Sequence, residues 1–194
     1  MPPTPPTTTV LLHRADIARR VEEMGRQLTA ELEAERIALA AKGDKAANDP
    51  IVMVPILTGA MLFVADLIRH MPIAMSIRPV TLSSYPGTAT SSAGVSAPYS
   101  LPADLKGKRI LVLDDIYDSG QTLGLLQRMF AAQNPLSLRT VVLLTKRKPA
   151  GRVEDVKISH SGFEIDDHFV VGYGLDYDGE YRNLPDVCVL DLKA

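Results

Sequence analysis

At 194 residues the chain has the size of one domain, and with 46% apolar residues it can bury a sizeable core. A net charge of -2 and a pI near 6.1 argue against a general nucleic-acid binder, whose domain pI usually exceeds about 9. The single cysteine, Cys188, cannot form an internal disulfide; within Val187-Cys188-Val189-Leu190 it reads as a small buried hydrophobe and fits a reducing compartment.

The start, Met1-Pro2-Pro3-Thr4-Pro5-Pro6, lacks the charged end and apolar stretch of a secretory signal, and residues 1–15 read as a disordered tail. No apolar run approaches the roughly 20 residues that span a bilayer, so a cytoplasmic protein with no membrane or nucleic-acid partner is expected. Ile17, Val21, Met24 and Leu28 recur at helical spacing and predict a helix over 16–41, with Asp16 as N-cap and a break at Gly43-Asp44. The run Ile51-Val52-Met53-Val54-Pro55-Ile56 predicts a buried strand with Pro55 at its end or on an edge. A helix over 60–70, a strand over 75–82 and a long loop over 83–107, rich in Ser, Gly, Pro and Thr, follow. Loops of that length in compact domains usually act as lids or are disordered.

Arg109-Ile110-Leu111-Val112-Leu113 predicts a third strand, Gln121–Gln133 a helix, and Val141-Val142-Leu143-Leu144 a fourth strand. Strands alternating with helices imply an α/β fold, its mostly parallel sheet covered on both faces. After Pro149 short strand-like runs at 153–160, 168–172 and 186–192 suggest a small appended lobe.

Chemistry concentrates after the third strand, in Asp114-Asp115-Ile116-Tyr117-Asp118-Ser119-Gly120-Gln121-Thr122. Ligands of open parallel sheets bind beyond the carboxyl ends of the strands, and a helix start there favours an anion. Carboxylates suited to Mg²⁺ or sugar hydroxyls thus lie beside a phosphate cradle, the pair a phosphorylated sugar needs. Acids also occur at helix starts simply because the dipole stabilises them. The same string fits the DDxxD pattern of isoprenoid diphosphate synthases, but those acids lie inside helices of larger bundles, and a second acid-rich helical motif is missing. The P-loop spacing is absent.

The stretch resembles the phosphoribosyl diphosphate signature of type I phosphoribosyltransferases, and within them the hypoxanthine-guanine phosphoribosyltransferases. The resemblance runs from about Ile17 to Leu190. It rests on Leu57-Thr58-Gly59 with residues 63–69, on Ser83-Ser84-Tyr85, on the acid-rich turn, and on the long segment from Gly162 to Tyr177 that contains Phe169-Val170-Val171-Gly172-Tyr173. It implies a single domain over 16–194, its core at about 45–149 and a hood from the N-terminal helix region and about 150–194.

The resemblance also implies roles. Asp114 and Asp115 would hold ribose hydroxyls, partly through Mg²⁺ (Mn²⁺ substituting), although most relatives carry Glu then Asp. Asp118 would be the acid/base near purine N7, and Ser119, Gly120, Gln121 and Thr122 the 5′-phosphate loop. Leu57, Thr58 and Gly59 would bind diphosphate by backbone amides, in a loop similar to ones with a non-proline cis peptide. Many relatives have Lys at the place of Thr58. Ser84 and Tyr85 would begin the closing loop. Lys146 would donate to the purine 6-oxo group, Phe169 would stack on the base, and Ile116 and the Val170 backbone would complete its site. Asp176 would hold a second Mg²⁺ and Arg182 would contact the diphosphate. His168, where relatives often carry Lys, reads as a surface histidine. The expected reaction turns phosphoribosyl diphosphate and hypoxanthine or guanine into nucleotide and diphosphate, in a homodimer or homotetramer. Xanthine specificity and a non-catalytic nucleotide-sensing regulator of the same fold are the alternatives.

Overall fold

The computed structural model describes residues 7–81, 101–148 and 150–191. Its large sheet runs β3-β2-β5-β6-β7, with β4 also beside β2, and every pairing in it is parallel. The strands are β2 (Ile51–Leu57), β3 (Met75–Ile77), β4 (Val80–Thr81), β5 (Arg109–Tyr117), β6 (Ser137–Lys146) and β7 (His160–Ile165). A second sheet, β1-β9-β8, is antiparallel and joins β1 (Thr7–Leu12), β9 (Val187–Asp191) and β8 (Val170–Val171). Among the described residues the α-helices are α1 (Arg14–Ala41), α2 (Met61–Leu67) and α3 (Gln121–Ala131).

Alternation along the central strands explains the layers. Met53, Leu111 and Leu113 point to a core shared with Ile17, Val21, Met24, Leu28 and Leu32 of α1 and with Phe63 and Leu67 of α2. Val52, Val54, Ile110 and Val112 point to the opposite core, closed by Leu123, Leu126 and Phe130 of α3. Among the described residues no helix is long and apolar enough to cross a membrane.

Several local expectations are corrected. Thr7–Leu12 is not a disordered tail: its β-branched run pairs with β9, Thr8 facing Leu190 and Thr9 facing Val189. The N-cap of α1 is His13, whose carbonyl accepts from the Asp16 and Ile17 amides, while Asp16 sits in the first turn and pairs with Arg19. Pro55 lies inside β2, but where the flank toward β3 and β4 is interrupted between Met53 and Ile56, so its missing N–H breaks no continuous ladder. The strand expected over 75–82 is divided at Arg78-Pro79 into β3 and β4. Most of the loop expected over 83–107 falls outside the described residues. Residues 153–159 form no strand; the Val156 amide donates to the Tyr117 hydroxyl and Gln127 donates to the Lys157 carbonyl, so side chains replace a ladder. The region after Pro149 divides, β7 joining the large sheet while β8 and β9 join β1.

Leu28 is fully buried between α1 and the large sheet. Leu28→Ala is expected to lower the unfolding free energy by about 2–5 kcal/mol, as buried Leu truncations do. Denaturant melts of both forms measure this; an unchanged midpoint would remove α1 from the core.

Candidate active site

β5 extends past the apolar run through Asp114, Asp115, Ile116 and Tyr117, with Asp114 facing Val142 and Ile116 facing Leu144 of β6. The acid pair is therefore held in the sheet itself, at its carboxyl edge. The chain then turns through Asp118 and Ser119 into α3, whose N-cap is Gly120 at φ 86°. Ser119 Oγ lies 3.5 Å from the Gln121 amide. Backbone N–H groups at the start of α3 open onto the same edge.

A cavity of about 320 Å³ sits there. Asp114, Asp115 and Ile116 of β5 line one wall; Asp118, Ser119, Gly120 and Thr122 line the next. Leu57, the last residue of β2, forms the third with Thr58 and Gly59, and the Leu57–Thr58 peptide is cis. Asp176 and Arg182, from the segment between β8 and β9, complete the lining. Arg182 Nη2 lies 2.8 Å from Asp176 Oδ1, its Nη1 donates to the Gly174 carbonyl at 2.7 Å, and the Gly179 amide donates to Asp176 Oδ2 at 2.9 Å.

These walls meet with no room to spare. A Cβ on Gly59 would fall 1.8 Å from Asp115 Oδ2, and one on Gly174, at φ 102°, would fall 2.2 Å from the Gly59 carbonyl.

The electrostatics separate the acids. Burial pushes the Asp114 carboxyl well above the usual carboxylate range, and the charge of Asp115 adds to this. Burial raises Asp115 too, against its hydrogen bond with Asp114, backbone amides and the charge of Arg182. At Asp118 burial also works upward, but hydrogen bonds from Lys146 and Lys148 outweigh it and hold the carboxyl below the usual range. Lys146 Nζ lies 2.8 Å from Asp118 Oδ2 and Lys148 Nζ 2.8 Å from Asp118 Oδ1.

Four of the sequence-derived residues do not line the cavity. Gln121 opens α3 beside it. Lys146, the buried last residue of β6, reaches it only through Asp118. Phe169 is 43% exposed and stands edge-on to Tyr177, ring centroids 5.5 Å apart, while Val170 is buried in β8. Ser84 and Tyr85 lie outside the described residues. His168 is exposed. Sequence reasoning missed Lys148 and Asp167, whose only signals are the Lys146-Arg147-Lys148 run closing a strand and the Asp166-Asp167 pair before Phe169.

Gly120 is required twice over, by its left-handed φ and because a Cβ would fall 1.8 Å from the Glu154 carbonyl. Gly120→Ala is expected to lower stability by about 1–3 kcal/mol, read as a shift in the denaturant midpoint. A midpoint equal to that of the parent would show that this turn has another conformation.

Known proteins share both sequence and fold. The model of the phosphoribosyl transferase domain matches residues 21–178. The chain is 38% identical over 181 residues to a hypoxanthine-guanine phosphoribosyltransferase of Bacillus subtilis, covering 93% of this chain and 92% of that protein. To a hypoxanthine phosphoribosyltransferase of Escherichia coli it is 36% identical, covering 92% and 93%. A crystal structure of a hypoxanthine-guanine phosphoribosyltransferase from Bacillus anthracis superposes with a TM-score of 0.76 at 31% identity, covering 93% of this chain and 97% of the other. With that sequence likeness spanning nearly the whole of both chains, and with an acid pair, a helix start and an arginine from the segment between β8 and β9 converging on one sheet edge, the chain belongs to the phosphoribosyltransferase family, among the hypoxanthine-guanine phosphoribosyltransferases.

Proposed function

We propose that the chain transfers ribose 5-phosphate from phosphoribosyl diphosphate to N9 of hypoxanthine or guanine, releasing diphosphate. The observation that carries the base class is the contact between Asp118 and Lys146. An acceptor and a donor 2.8 Å apart match the N7 and 6-oxo positions, which are neighbours on one purine edge. Adenine presents an amino group at that position, and an ammonium has nothing to accept it.

In this reading the start of α3, with Ser119, Gly120, Gln121 and Thr122, binds the 5′-phosphate. The Leu57–Gly59 loop and Arg182 face the diphosphate. Asp114 and Asp115 hold the ribose hydroxyls. Phe169 stacks on the base, with Ile116 and the Val170 backbone beside it. Asp118 takes the N7 proton as N9 attacks the anomeric carbon, and Lys146 steadies the charge that gathers on the 6-oxo group.

The donor set fits a divalent cation. Asp114, buried, and Asp115, half-buried beside it, are neighbouring carboxylates with raised proton affinity, and Asp176 lines the same cavity. Among the described residues no group of three acidic, histidine or cysteine side chains forms a closed metal cage. Mg²⁺, which keeps several waters and takes substrate oxygens, suits such an open set better than a cation needing a full protein cage. When bound it would neutralise charge on the leaving diphosphate.

Replacing Lys146 with Met tests the base assignment. kcat/KM for hypoxanthine and guanine is expected to fall by the equivalent of about 1.5–3 kcal/mol, the usual worth of a hydrogen bond to a charged group. The KM for phosphoribosyl diphosphate should stay near its parent value, because Lys146 does not line the cavity. A parent enzyme that prefers adenine, or a variant with unaltered base preference, would sink the 6-oxopurine assignment.

A further inference from the structure

Both oxygens of Asp118 are occupied. Oδ2 lies 2.8 Å from Lys146 and Oδ1 lies 2.8 Å from Lys148. Lys148 Nζ is also 2.7 Å from Asp167 Oδ1, and Lys146 Nζ is 3.5 Å from the same oxygen. Two ammonium groups and two carboxylates thus form one cluster, joining the end of β6 to the turn before Phe169. The two lysines are not equivalent. Lys146 is buried to 9% side-chain exposure, whereas Lys148 stands at 22%, on the outer side of the cluster.

We propose that Lys148 is a positioning residue for transfer to the base, keeping Asp118 oriented and charged when Lys146 releases it, and tying the Phe169 turn to Asp118 through Asp167. The proposal rests on the reading of Asp118 as the N7 partner and Lys146 as the 6-oxo donor. For a purine to enter, Lys146 must turn from Asp118 Oδ2 to the oxo group, freeing that oxygen for N7. With Lys146 as its one partner, Asp118 would lose its orientation and its compensating charge at the moment it must accept a proton. Lys148, fixed on Oδ1 and braced by Asp167, stays behind.

The charged groups facing Asp118 are Lys146 and Lys148 from the end of β6 and Asp167 from the turn after β7. Burial raises the Asp118 carboxyl and the two lysines outweigh it. Removing Lys148 therefore raises the proton affinity of Asp118. A base that must be ionised then loses activity at a higher pH, and the loss grows as pH falls. The profile of kcat/KM reports the free enzyme, where Lys146 still holds Asp118; the single-turnover rate at saturating substrates reports the complex, where Lys148 is alone. The acid limb should move further in the second than in the first.

The experiment compares the full-length parent, Lys148→Met, Lys148→Arg and Asp118→Asn, with Mg²⁺, phosphoribosyl diphosphate and hypoxanthine across pH. Lys148→Met is expected to shift the acid limb upward, more in single turnover than in kcat/KM. At the acid end its rate should be lower by roughly tenfold, on the scale of one hydrogen bond to a charged group. The KM for phosphoribosyl diphosphate should be kept, and Lys148→Arg should restore most of the limb. An unmoved limb in Lys148→Met overturns the proposal, and if Asp118→Asn is inactive the role of Asp118 itself stands. A loss that is uniform across pH and not rescued by arginine assigns Lys148 to folding alone and also overturns it. Normal turnover in Asp118→Asn removes the base reading and this proposal together.

Discussion

Two glycines with no room for a methyl group set the spacing of the site. The Gly59 Cα packs onto the Asp115 carboxylate, and the Gly174 Cα packs onto the Gly59 carbonyl. The Asp115 side chain, the loop after β2 and the segment between β8 and β9 are thereby stacked on one another, the last two at backbone contact distance. A side chain at Gly174 would meet the Gly59 backbone and hold those layers apart, and one at Gly59 would displace the Asp115 carboxylate. This stacking lets Arg182 and Asp176, far from β5 in sequence, share a cavity with Asp114 and Asp115. It also buries the acid pair, and burial is the leading cause of the raised proton affinity of both carboxylates.

Charge is then distributed unevenly along one turn. Asp114, buried, and Asp115, half-buried, sit side by side, a poor arrangement for two anions and a good one for a bound cation or sugar hydroxyls. Asp118, one turn further, is surrounded by ammonium groups and stays ionised. In the proposed reading, three acids within five residues are thus divided into a binding pair and a proton acceptor by their neighbours. The same fold feature, the exit of β5 into α3, supplies both surroundings.

Much of this is legible in the sequence. Apolar strands alternating with helices announce the parallel sheet, and Asp114–Thr122 points to a cavity at its edge, because strand, acids and helix start stand in one short run. The end of β5 is not legible, since Asp114 and Asp115 break the apolar pattern although their backbones stay in the sheet; only the open cavity makes buried charge tolerable there. β1 is hidden because the Pro-rich start masks Thr7–Leu12, a strand that forms only against β9, 175 or more residues later. Lys148 is hidden for a different reason. A lysine after a strand is ordinarily solvated, and its meaning depends on Asp118 and Asp167 arriving from separate turns. Phe169, heading the apolar run Phe169-Val170-Val171, reads equally as core, and its exposure edge-on to Tyr177 is visible only in three dimensions.

The most direct test of the central claim is calorimetric titration of phosphoribosyl diphosphate into the protein, with and without Mg²⁺. The parent is compared with the double substitution Asp114→Asn and Asp115→Asn, which removes the charge and keeps the volume. Saturable binding that requires the cation, weakened at least tenfold in the double variant, is the predicted result. Equal affinity in both proteins, with or without Mg²⁺, would contradict the assignment of this cavity to the sugar diphosphate.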